Sequence, residues 1–123
     1  MRKGMTRNLL PMALLLMVML LTACGRDSKE RGLASDFMEQ SLGVKEYDVV
    51  KWSAVDSTFF VSDSMLQVMR AQAASKIRGE VHYVAPTPKL LYLNLRYAVG
   101  KDTLARTFYF DDRASGIVGF KDN

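Results

Sequence analysis

The sequence predicts an α+β fold: an antiparallel sheet of about four to five strands, with two helices packed on one face. Two segments repeat apolar residues at helical spacing, and later segments alternate apolar and polar residues as strands do. Turn residues separate the last strands closely enough for a meander. Since a sheet and helices stabilise each other by burying apolar faces, a two-layer domain follows.

The first helix is expected over about 29–42. Its apolar residues fall on one face, and Gly43 can end it in the left-handed conformation. The second helix is expected over 63–78, with Gly79 as its C-cap. Ser64 with Gln67 fits a capping box, and the alternatives for the N-cap are Ser62 and Asp63.

Strands are expected at about 46–54, 80–84, 91–99, 104–110 and 117–120, with 56–58 as a turn. In the first of them, alternation places Tyr47, Val49 and Lys51 on one face. Gly100-Lys101 fits a type II′ turn with glycine first. That loop sets the hairpin register, so that Leu91 faces Phe110, Leu93 faces Phe108 and Tyr92 faces Tyr109. A one-residue slip would place Leu95 against a polar face.

The first 23 residues have the three parts of a secretory signal peptide. A basic start is followed by an apolar run of about 13 residues, which is short for a membrane span of roughly 20, and then by small residues. The only cysteine of the chain, Cys24, comes directly after Leu21-Thr22-Ala23. The alternative is an inert cysteine in an uncleaved membrane helix.

Leu21-Thr22-Ala23-Cys24 resembles the lipobox of bacterial lipoproteins. The resemblance implies that the Cys24 thiol receives a diacylglycerol, that signal peptidase II cuts before it, and that the new amino group can be N-acylated. Two or more acyl chains would anchor the protein firmly in a membrane. Residue 25 is Gly rather than Asp, which by resemblance to enteric lipoproteins favours the outer over the inner membrane. The polar segment 24–32 is then a tether, and 33–123 is one small domain.

Charge and cysteine content exclude several classes of function for the mature chain. Three of the 17 basic residues lie in the signal segment, whereas all 13 acidic residues follow it, so the mature net charge is +1. No run of like charges suggests a nucleic-acid partner. After lipidation of Cys24 no thiol remains for disulfides, catalysis or metal binding, and no other cofactor is expected.

No catalytic or metal-binding residue is predicted. His82 is the single histidine, and a metal site would need further ligands. No serine has the Gly-x-Ser-x-Gly context of a hydrolase nucleophile. Asp111-Asp112 has oxygen ligands for calcium, but lacks the spacing of an EF-hand loop and is interpreted as part of a turn over 111–116.

One group of polar and aromatic residues is a candidate partner surface. It shares the sheet face opposite the leucines and comprises Tyr92, Asn94, Arg96, Thr107 and Tyr109. If both helices cover the leucines, this face is open, and its aromatics and Arg96 can meet a protein, a glycan or an anionic head group. The alternative is an ordinary solvated sheet face.

The element order is similar to that of cystatin-like and NTF2-like folds. The segment 47–53, Tyr-Asp-Val-Val-Lys-Trp-Ser, with the closing hairpin, also resembles short lipoproteins, and this implies no activity. The leading hypothesis is a lipid-anchored accessory or binding module of the cell envelope that contacts a partner protein and catalyses nothing itself. The alternative is a carrier or sensor of a small ligand in a pocket of a curved sheet. An enzyme ranks third, and would need His82 in a cleft beside an Asp and a Ser.

Overall fold

The computed structural model describes residues 27–123, and the predicted α+β class is confirmed. Helix α1 comprises Ser28–Asp36 and continues through a π-helical turn, Phe37–Ser41. Helix α2 comprises Asp63–Ala73 and ends in a 3₁₀ turn, Ala74–Lys76. The strands are β1 (Asp48–Trp52), β2 (Asp56–Thr58), β3 (Leu90–Val99), β4 (Asp102–Phe110) and β5 (Ile117–Asp122). The predicted signal peptide 1–23 and lipidated Cys24 lie outside the described residues.

The five strands form one antiparallel sheet in the order β1-β3-β4-β5, with β2 also paired to β3. The β3–β4 hairpin has the predicted register, since Leu93 faces Phe108 and Tyr92 faces Tyr109. Gly100 has a φ of +60°, and Lys101 does not share this positive φ, as a type II′ turn requires. The turn and the apolar alternation therefore specify the same pairing.

One face of the sheet, here called the leucine face, carries the main core under α1. Leu93, Leu95, Phe108 and Phe120 are fully buried there. From α1, Phe37 packs on them with its ring centroid 5.2 Å from that of Phe120, in edge-to-face geometry. As predicted, α1 ends before Gly43, whose φ is +69°.

The second helix lies along edge strand β5, which differs from the prediction that both helices cover the leucine face. Its Leu66 and Met69 pack on the opposite face, and only Ala73 reaches the main core. Arg70 fixes this position, because its Nε donates to the Val118 carbonyl at 2.7 Å. The helix thus protects an edge strand and covers part of the face expected to be open.

The boundaries of both helices differ from the prediction. Helix α1 begins at Ser28, so the second half of the expected 24–32 tether is helical. The Ser62 hydroxyl caps α2 by accepting from the Met65 amide at 3.2 Å, as one of the three alternatives proposed. Gly79 is not the C-cap, since α2 and its 3₁₀ turn end at Lys76 and the Gly79 amide donates to Ser41 of α1.

The secondary structure of two short segments differs from the prediction. Residues 56–58, expected as a turn, form β2 and pair with Leu90–Tyr92 of β3. Residues 80–84, expected as a strand, are not one, because within the described chain their backbone makes a single bond to the sheet, from the Val84 amide to the Ile117 carbonyl at 3.0 Å. Pro86 and Pro88 follow and cannot donate to a ladder.

Candidate functional site

The face opposite the leucine face, here called the tyrosine face, carries all five candidate residues in cross-strand rows. Tyr92 faces Tyr109 in one row, and Asn94 faces Thr107 in the next, with Lys121 of β5 beyond Thr107. Arg96 lies one row further toward the hairpin. Rows on one face repeat about every 7 Å along a strand, so the five residues form a continuous patch.

The tyrosine face is open at one end and covered at the other. Asn94 and Arg96 are exposed and Tyr92 is half-buried, but Thr107 and Tyr109 retain only 4% and 7% exposure. Tyr109 is covered because α2 packs its Leu66 and Met69 against this end of the sheet. The accessible part of the predicted surface is therefore Tyr92, Asn94 and Arg96.

Thr107 and Asn94 are joined by a short hydrogen-bond network. The Thr107 hydroxyl donates to the Asn94 side-chain oxygen at 2.6 Å and accepts from the Asn123 side-chain nitrogen at 2.8 Å. The backbone amide of Asn94 also donates to the Ser53 hydroxyl at 2.8 Å. The exposed Asn94 side chain is thus held by one hydrogen bond, from Thr107, which reduces the rotamer entropy it would lose when a partner binds.

A bulge in β1 brings a second cation onto the tyrosine face. The register shifts between Val49 and Lys51, so that Val49 faces Tyr97 and Lys51 faces Arg96. The prediction that Tyr47, Val49 and Lys51 share a face is therefore wrong, because a bulge reverses the alternation. Like charges directly opposite each other destabilise a sheet.

Three cations of the tyrosine face, Lys51, Arg96 and Lys121, form a basic surface that has few ion pairs with acidic side chains of the same chain. Ion pairs within residues 27–123 use Asp122 and Glu80 as their acids, and neither Lys51 nor Arg96 takes part in one. Lys121 lies 6.0 Å from the Tyr109 ring centroid. Lys51 and Arg96 thus remain available for an acidic group from outside the chain.

An apolar groove borders the basic surface where α2 meets the sheet. It has a volume of about 380 Å³ and mainly apolar walls, formed by Val61, Ser64, Met65, Val68, Met69, Gln72, Tyr109 and Lys121. Met65 and Val68 are half exposed on the outer side of α2. Sequence reasoning missed Val68, Lys51 and Lys121 as surface residues, although the i, i+3 spacing of Met65 and Val68 marked a second apolar stripe on the helix.

Asp56 modifies the Tyr92 end of the surface. Its carboxylate accepts from the Tyr92 hydroxyl at 3.4 Å. The negative charge of Asp56 is the main reason that the pKa of the Tyr92 phenol is raised above 10.0, with desolvation, the hydrogen bond itself and Tyr109 adding to it. Tyr92 is thus a neutral hydrogen-bonding group at any ordinary pH.

His82 and the serines near it are engaged in other contacts. His82 lines a cleft of about 270 Å³ together with Asp36, Ser41 and Ser115. The His82 Nε2 lies 3.5 Å from the Glu80 carboxylate, and both side chains are more than 80% exposed. The Ser41 hydroxyl donates to the Glu80 carbonyl, and that of Ser115 to the Asp111 carboxylate. Neither hydroxyl is therefore hydrogen-bonded to His82, as a nucleophile activated by this histidine would be.

Asp111 organises the turn between β4 and β5. Burial would raise the pKa of its carboxyl, but hydrogen bonds from the Ser115 hydroxyl and from the Ser115 and Gly116 amides outweigh burial and lower it. The predicted turn over 111–116 is confirmed. Among residues 27–123, no group of three or more His, Cys, Asp and Glu side chains is arranged to hold a metal ion.

Arg106 is a buried charged residue on the leucine face. Its Nε donates to Asp122 at 2.6 Å, and its guanidinium lies 5.5 Å from the Tyr97 ring and 5.4 Å from the Phe120 ring. Asp122 also pairs with Lys76 of the 3₁₀ turn after α2. Burial would raise the pKa of Asp122, but hydrogen bonds and charges from Arg106 and Lys76 outweigh it and lower the pKa.

Comparison with family models, with curated proteins and with solved structures finds no match to this chain. Within residues 27–123, no helix is both long and apolar enough to span a bilayer.

Proposed function

We propose that this protein is a lipid-anchored module of the cell envelope that binds an acidic segment of a partner protein on its tyrosine face. The observation that carries the proposal is the facing pair of Lys51 and Arg96, two exposed cations on neighbouring strands. A cross-strand like-charge pair costs stability, and an acidic partner would offset that cost. The lipid anchor in this proposal is inferred from the sequence pattern Leu21-Thr22-Ala23-Cys24.

The chemistry of the surface fits a protein partner better than a small ligand. Arg96 offers a planar fork for a carboxylate, and Tyr92 and the apolar groove beside α2 offer contact area. A ligand carrier needs a deep apolar pocket in the sheet. On the leucine face that space is filled by Phe37, Met38, Phe108 and Phe120. The carrier and the enzyme remain alternatives of lower rank.

The anchor is tested by Cys24→Ser. We expect this variant to accumulate as an uncleaved precursor and to lose labelling by a fatty-acid analogue, because a serine hydroxyl cannot form the thioether. Normal processing and labelling of the variant would refute the lipoprotein assignment.

The partner surface is tested by crosslinking in the protein's own membranes, followed by pull-down. The comparison is between the wild type, the Tyr92→Ala/Arg96→Ala variant, and a control, Leu104→Ala, at an exposed position on the other side of the hairpin. We expect one partner to be captured by the wild type and the control but lost from the double variant. Equal capture by all three proteins would place the interaction elsewhere.

A further inference from the structure

Two adjacent phenylalanines project from one end of the sheet. Phe59 and Phe60 follow β2 and are 68% and 88% exposed. The Phe60 amide donates to the Thr58 hydroxyl at 3.2 Å, which holds the chain in a tight turn there. Phe59 and Phe60, here called the phenylalanine loop, are the most exposed large apolar side chains of residues 27–123.

The start of the described chain contacts the segment that leads into β2 and the phenylalanine loop. The Asp27 carboxylate accepts from the Val55 amide at 3.3 Å, and Phe59 is only four residues beyond Val55. Four residues span at most about 14 Å. Lys29 donates to the Arg113 carbonyl at 3.0 Å, and the turn that contains Arg113 follows β4 at the same end of the sheet. The start of α1 and the phenylalanine loop therefore share one end of the domain.

The short link to Cys24 limits how far this end can stand from a membrane. Helix α1 begins at Ser28, four residues after Cys24, so the intervening chain reaches at most about 14 Å. This step rests on the lipid anchor of the proposed function. Lipidation of Cys24 would thus hold the phenylalanine loop within reach of the bilayer surface.

The side chains at this end suit the interface of a bilayer. Phenylalanine side chains are favourably buried at the boundary between head groups and acyl chains, whereas exposing two of them to water is unfavourable. Lys29, Lys89 and Arg113 are exposed at the same end, with Asp112 as an exposed acid beside them. Basic side chains next to the surface attract lipid phosphates.

We propose that the phenylalanine loop inserts into the bilayer interface beside the lipid anchor and gives the domain one fixed orientation on the membrane. Two attachment points, the acyl chains and the loop, restrict tumbling that the acyl chains alone would allow. The Gly100–Lys101 hairpin, at the opposite end of β3 and β4, then points away from the membrane. Arg96, near the hairpin, is presented at a distance from the lipid surface.

The test is a depth measurement on the lipidated mature protein in vesicles of phosphatidylethanolamine and phosphatidylglycerol. Cys24 is the only cysteine and its thiol is blocked by lipid, so a spin label can be placed through Phe60→Cys alone. The matched control is Leu104→Cys, another exposed apolar position, at the hairpin end. Collision rates with oxygen, which concentrates in the bilayer, and with a water-soluble nickel complex report the depth of each label.

We expect a several-fold higher oxygen-to-nickel ratio at position 60 than at position 104. A vesicle-bound protein with equally low ratios at both positions would overturn the inference and leave the anchor intact. A label at position 60 that is shielded only in native membranes, and not in pure vesicles, would indicate a protein contact and would also overturn it. Failure of the protein to fractionate with vesicles at all would refute the anchor first, and the inference with it.

Discussion

Alternate residues of β3 meet different surroundings on the two faces of the sheet. Leu93 and Leu95 are fully buried on the leucine face, whereas Asn94 and Arg96, the residues that follow them on the chain, are exposed on the tyrosine face. One residue along a strand thus separates positions that hold the fold together from positions that can bind. Substitutions on the two faces should therefore affect different measurements.

The largest expected difference is between Phe108→Ala and Tyr92→Ala. Removing a fully buried ring should lower the free energy of unfolding by about 3–5 kcal/mol, because a cavity is left in the core. Tyr92 is half-buried, and its truncation should cost about 1 kcal/mol. Urea unfolding of both variants measures the two losses. Similar losses would contradict the division of roles between the faces.

A second comparison is between two arginines on opposite faces. Arg106→Met removes the hydrogen bond to Asp122 from a side chain that is 7% exposed, and should cost about 1.5–3 kcal/mol. Arg96→Met keeps a similar shape at an exposed site, and should change stability by less than about 0.5 kcal/mol. Urea unfolding of both arginine variants measures the two changes in the free energy of unfolding. The contrast fails if Arg96→Met is as destabilising as Arg106→Met.

A third, smaller effect concerns acid stability through Asp122. Because its pKa is lowered in the folded state, its contribution is complete above the ordinary value of 3.8 and is lost as the pH falls through the lower folded value. We expect the unfolding free energy of Asp122→Asn to fall less steeply than that of the wild type between about pH 5 and pH 2. An identical slope in both proteins would show that the Arg106 and Lys76 contacts do not favour the charged form.

The parts of the fold that could be predicted are those set by local pattern. The β3–β4 register follows from alternation together with Gly100, and α1 follows from apolar spacing ended by Gly43. The position of α2 could not be predicted, because the helix carries apolar residues on more than one side. What fixes it is Arg70, which bonds the edge carbonyl of Val118, a contact between residues 48 positions apart.

The candidate surface was predicted in position but not in exposure. All five residues share the tyrosine face, because period-two alternation fixes the facing of side chains. Tyr109 is buried because α2 packs on it, and the buried Thr107 accepts a hydrogen bond from Asn123. Both are tertiary contacts, which the strand pattern does not reveal. Lys51 reaches this face only through the β1 bulge, which alternation alone does not reveal.

Partner binding by the tyrosine face is tested most directly by site-specific photocrosslinking at Asn94, with Leu104 as the matched position on the leucine face of the same hairpin. Both residues are exposed, and each would in turn be replaced by the crosslinking amino acid in the full-length protein expressed in cells. We expect a single protein adduct of defined mass at position 94, none of that mass at position 104, and loss of the adduct when Lys51→Ala and Arg96→Ala are added. An adduct that forms equally at both positions, or that survives removal of the two cations, would contradict the proposed function.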